Sequence, residues 1–152
     1  MVAETWAAFF PAPSTSRKIP HPIFPGGGIH QLTMFADYRV PQILHHLKIL
    51  TYPPSFLTLL ESGHDFEHGS KEEVSIRAAS IVAVERVRDE ILSLRHQSKE
   101  TAGAGTVGWE CGLDVPICSV LIDFSLWDAA KRIEDAGEEI VVPVHRTRSI
   151  WY

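Results

Sequence analysis

The sequence is short of basic residues, of cysteine and of long apolar runs, and each shortage closes off a class of function. Lys and Arg number 14 against 19 Asp and Glu, a formal charge of -5. A duplex-binding protein displaces counterions with a broad basic face, so a nucleic acid polymer is not an expected partner, although a nucleotide remains open. The only cysteines, Cys111 and Cys118, suggest free or buried thiols in a reducing compartment rather than a disulfide framework. No apolar run reaches the length of a bilayer span, and Met1 to Trp6 carry an acid but no basic signal-peptide region. The expectation is a cytoplasmic protein with no membrane contact. Internal repeats are lacking. Gly26-Gly27-Gly28 lacks the lysine and the preceding strand of a phosphate loop, and neither serine nor cysteine sits in a nucleophile motif. No cofactor is expected.

What is there fits one domain with a real core, since 152 residues suffice for one and not for two. Residues 1–10 have helical composition but break at Pro11, as a remnant helix would. A Pro/Gly-rich linker follows over 11–30, where neither helix nor sheet can propagate. From 31 to 152 the pattern is helical. Pro41 suits the first turn of a helix over Gln42 to Ile49, with Ile43, Leu44 and Leu47 on one face. A short helix after Pro53-Pro54 stops at Gly63. Ser70-Lys71-Glu72-Glu73 is a capping box opening a helix that runs to about His96. The first half of that helix, Val74 to Val84, is apolar on nearly all sides and predicts a central position. Farther on, Val84, Val87, Ile91 and Leu94 form a stripe, while Glu85, Arg86, Arg88 and Asp89 face water. A flexible insertion spans 97–113. Asp114 as N-cap and Pro116 then start a helix from Ile117 to about Ile133. The tail from Val141 is extended by composition, and its apolar end predicts docking.

Two acids stand out. On a helix, Val120, Asp123, Trp127 and Ala130 share one face, so Asp123 lies among apolar neighbours. Burial there raises a carboxyl pKa unless the group is paired, and the reading divides evenly between an active-site acid and a structural carboxylate. Asp37 stands at a helix start, where a short acid is commonly a cap. Beside it, Tyr38 and Arg39 suit either a stacking ring and an anion clamp or a core edge and a salt bridge. His64-Asp65-Phe66-Glu67-His68 matches the H-x-x-E-H pattern of some zinc proteases. That chemistry needs a helix, and Gly63 and Ser70 leave no room for one, so no metal is expected. His145-Arg146-Thr147-Arg148 is a short basic cluster that answers either a phosphate or core acids.

Four runs carry a resemblance. They are Leu32-Thr33-Met34-Phe35-Ala36-Asp37-Tyr38-Arg39-Val40-Pro41-Gln42, Gly69-Ser70-Lys71-Glu72-Glu73-Val74-Ser75-Ile76-Arg77, Leu121-Ile122-Asp123-Phe124-Ser125-Leu126-Trp127-Asp128 and His145-Arg146-Thr147-Arg148-Ser149-Ile150-Trp151-Tyr152. In that order they closely resemble motifs of the queuosine 5′-phosphate N-glycosylase/hydrolase family, the queuosine salvage proteins, in its C-terminal part. The resemblance implies an all-α fold akin to helix-hairpin-helix DNA glycosylases, incomplete at its N-terminus. It implies hydrolysis of the N-glycosidic bond of queuosine 5′-monophosphate, releasing queuine for tRNA modification. By the same resemblance Asp37 is the catalytic carboxylate and Asp123 lies in or beside the pocket. Tyr38, Phe124 and Trp127 would offer stacking surface to the base, and Arg39 or His145 would meet the phosphate. Family members are expected to be about twice this length, and a lysine-bearing segment of their N-terminal half has no match in residues 1–31. The chain is thus expected to be a shortened form, a monomer once that half is supplied. The alternative is an inactive helical module that binds the nucleotide or a protein partner.

Overall fold

The computed structural model describes residues 32–101 and 117–148, with residues 98–101 described by backbone alone. The expectations for the remnant helix, the linker, the centre of the insertion and the apolar tail end lie outside these residues. Among the described residues the architecture is all-α. Helices α1 (Arg39–His46), α2 (Pro54–Glu61), α3 (Lys71–Thr101) and α4 (Ser119–Asp135) are joined by one small parallel pair, β1 (Asp65–Phe66) and β2 (Arg146–Thr147). Asp65 is in register with Arg146 and Phe66 with Thr147, which ties the tail to the turn before α3.

Helix α1 is the hub. It packs against both α3 and α4, and these two also meet each other. Val40, Ile43 and Leu44 are fully buried in a core completed by Met34, Ala83, Val84, Ile122, Leu126 and Ala130. Each large aliphatic in such a position stabilises the fold by about 1.5–3 kcal/mol. Pro41 lies in the first turn and Asp37 just before the start at Arg39, as expected, but the helix ends at His46, short of the predicted Ile49. The start is held by Asp37, whose side chain accepts the N–H groups of Arg39 and Val40. The early stop follows from Lys48, which takes a left-handed φ of 60° and leaves Leu47 exposed rather than on the buried face.

Helix α2 ends as expected, with Gly63 at φ 69°, a conformation that costs glycine nothing. The Ser70 hydroxyl accepts the Glu73 N–H at 3.3 Å, as a capping box requires. Glu73 reaches back one residue farther than expected, to the Gly69 N–H at 2.9 Å. The helix continues past His96 to Thr101. It is not central on all sides: Ile76, Ser80, Ala83 and Val84 are buried, whereas Val74 and Val82 are 52% and 51% exposed. Leu94, placed on the inner stripe by its spacing, is also exposed. Conversely, Glu85 and Arg88 are half-buried and not wholly given to water. Ser119 donates to Glu85 at 2.6 Å, and Arg88 pairs with Glu85, so polar bonds join α3 to the first turn of α4. That turn starts at Ser119, after an extended Cys118, rather than at Ile117. Cys118 is buried and carries a free thiol.

Candidate active site

The packing of α1 on α4 brings the two acids together. Asp37 is buried, 6% exposed, on the extended run leading into α1. One of its oxygens accepts the backbone N–H groups of Arg39 and Val40, each at 2.9 Å. The other accepts the indole N–H of Trp127 from α4. The carboxylate is a cap, as its position at a helix start suggested, and it is also pinned from across the core. One turn before Trp127 on α4, Asp123 accepts the Phe35 N–H at 3.0 Å. Burial, with Asp37 as a like charge nearby, pushes the Asp123 carboxyl up to about 6, and the Phe35 hydrogen bond only partly offsets this. Asp123 is half-buried, in line with the burial its spacing predicted.

The other candidate residues divide. Arg39 lies over the Trp127 ring, 5.1 Å from its centroid, and forks onto both carboxylate oxygens of Glu134 near the end of α4. Tyr38 meets Trp127 edge-on at 6.4 Å between centroids. Phe124 is half-buried and lies off the face shared by Asp123 and Trp127, because adjacent helical residues point about 100° apart. His145 is buried near Glu73 and Arg77. Burial, reinforced by the Arg77 charge and opposed by Glu73, holds His145 down at about 4, so the ring is neutral at pH 7.

Sequence reasoning missed the residues that support this arrangement. Arg77 donates to Glu73 at 2.6 Å and also to the carbonyl of Ala36, next to Asp37. Glu73 is buried. Burial alone would raise its carboxyl, but the Gly69 N–H and Arg77 together bring it below its usual value. The i,i+4 spacing of Glu73 and Arg77 was a visible signal; the pairing of Glu134 with Arg39 had none. Gln42, buried on α1, donates to the Val142 carbonyl at 2.7 Å and so holds the tail against the hub.

His64 and His68 flank the β1 strand, not a helix, so the two imidazoles cannot share a helical face as the H-x-x-E-H chemistry needs. Two clefts, of about 640 and 460 Å³, run along α3, beside Leu50. Neither is lined by Asp37 or Asp123.

A family model described as "Queuosine salvage protein" matches residues 1–152. The chain is similar to a mouse protein named queuosine 5′-phosphate N-glycosylase/hydrolase, 41% identical over 124 residues that cover 82% of this chain and 32% of the relative. A protein of the same name from Sphaerobacter thermophilus is 40% identical over 122 residues, covering 80% of this chain and 31% of the relative. One from Nematostella vectensis is 34% identical over 152 residues, all of this chain and 39% of the relative. The chain therefore spans about a third of the length of these relatives, a smaller share than the half its motifs suggested. On the match along its whole length, the chain belongs to the queuosine salvage protein family.

Proposed function

We propose that this chain supplies the carboxylate half of an active site that hydrolyses the N-glycosidic bond of queuosine 5′-monophosphate and releases queuine. The observation that carries the reading is the buried Asp37, held by N–H donors on both oxygens, with an Asp123 carboxyl of raised pKa beside it. Breaking a C1′–N bond builds oxocarbenium character on the ribose. A fixed carboxylate stabilises that charge or attacks C1′, so the role falls to Asp37. Departure of the base needs a proton and attack by water must lose one, and a carboxyl poised near 6 suits both transfers. Asp123 takes that role. Tyr38 and Phe124 are proposed as the edge against which the base packs. Phosphate binding by Arg39 would compete with Glu134, and His145 would meet a phosphate as a neutral imidazole donor.

The test is queuine release from queuosine 5′-monophosphate by the purified chain, followed chromatographically. Asp37→Asn keeps an oxygen for the two backbone N–H groups yet removes the charge, and the expected loss of rate is at least about 100-fold. An asparagine variant as fast as the parent would overturn the role of Asp37. A well-folded sample with no release would overturn the activity of this chain. The second reading, an inactive helical module, is favoured by the position of both clefts away from the acids. It predicts measurable nucleotide binding by calorimetry with no turnover.

A further inference from the structure

Trp127 occupies a position that a substrate-stacking ring would not need. Its indole N–H is already given to Asp37. One face is covered by the Arg39 guanidinium, and the Tyr38 ring abuts it edge-on. Arg39 in turn is held by Glu134, at 2.8 Å for the second arm of the fork, which favours its position over the indole. Glu134 and Trp127 lie two turns apart on α4, and Arg39 opens α1. The backbone N–H groups of α1 fix one oxygen of Asp37, and α4 fixes the other through Trp127. A carboxylate bound at only one oxygen can still rotate about its Cβ–Cγ bond. Binding both from two packed helices removes that freedom and leaves a defined set of lone pairs toward a reacting carbon.

We propose that Trp127 is the positioning residue of Asp37, braced by Arg39 and Glu134, and not part of the surface that stacks on the base. The proposal rests on the reading of Asp37 as the reacting carboxylate, but its geometric half stands independently. Trp127→Phe keeps a ring under Arg39 and deletes the donor together with part of the indole's bulk. If Trp127 positions Asp37, kcat for queuine release falls about 10- to 100-fold while KM stays within about 2-fold. A variant whose KM rises with kcat unchanged would show a binding surface and overturn the proposal. The second measurement needs no turnover. In the ¹H–¹⁵N spectrum, the Trp127 indole N–H is expected downfield and slow to exchange, and Asp37→Asn moves it upfield and speeds its exchange. An indole resonance indifferent to Asp37→Asn would overturn the positioning role in an active or an inactive chain alike. Absence of queuine release with the expected indole shift would instead count against the catalytic reading alone.

Discussion

Two carboxyl groups on facing segments receive opposite treatment from the backbone around them. Asp37 collects donors on both oxygens, whereas Asp123 has the Phe35 N–H, partial burial and the like charge of Asp37. The difference has a consequence for stability. Asp123 titrates at about 6 in the fold against an ordinary 3.8, so between those values the folded state holds the extra proton. Its contribution therefore falls as pH rises through that window and is level above it. His145 works the other way: at about 4 in the fold against 6.5, it leaves the unfolded chain with the extra proton, and stability rises with pH from about 4 to about 6.5. The two slopes oppose each other in the parent. Asp123→Asn removes the first, so the variant's Tm is expected to climb more steeply between about pH 4 and 6.5. It should match the parent near pH 4 and exceed it at about pH 8. Parallel Tm profiles for the two proteins would show that Asp123 is not held protonated by its surroundings. The oddity of Asp123 was legible from i, i+3 and i+7 spacing alone. The indole that pins Asp37 was not, because its partner lies 90 residues away and becomes a neighbour only when α4 packs on α1.

At the scale of elements, the start of α3 does more than cap a helix. Ser70 satisfies the first-turn N–H of Glu73, and Glu73 accepts the Gly69 N–H just before the helix while also holding Arg77, which reaches the Ala36 carbonyl beside Asp37. Removing the cap alone leaves that link intact, and Ser70→Ala is expected to cost about 1 kcal/mol. Glu73→Ala removes the acceptor of the Gly69 N–H and leaves Arg77 half-buried without its carboxylate, for which about 3 kcal/mol or more is expected. Urea denaturation ranks the two. Equal costs would mean that Glu73 acts only as a cap and the link to the Asp37 segment carries nothing. The capping box and the Gly63 stop were readable because local chemistry decides them. The start of α1 beside Asp37 was readable for the same reason, but its end was overrun because the left-handed Lys48 stops it. Spacing alone does not record that turn.

For the molecule as a whole, the outer side of α3 is the feature that burial leaves unexplained. Val74, Ala78 and Val82 recur every four residues and so form one stripe, and all three are exposed, as is Ile49 beside the larger cleft. The composition of this helix, apolar nearly all round, predicted neighbours on every side; among the described residues the inner face alone has them. A contiguous apolar stripe facing water favours self-association at high concentration. Light scattering over a concentration series is expected to show the parent chain's apparent mass increasing, and Val74→Lys with Val82→Lys to reduce that increase. Because neither side chain packs in the described core, the double variant should change unfolding free energy by less than about 0.5 kcal/mol per site. Val84→Lys, on the opposite face of the helix and fully buried, should instead prevent folding. A double variant that loses several kcal/mol would mean that residues outside those described already pack on the stripe. One that folds normally but associates as the parent does would place the cause of association on another face.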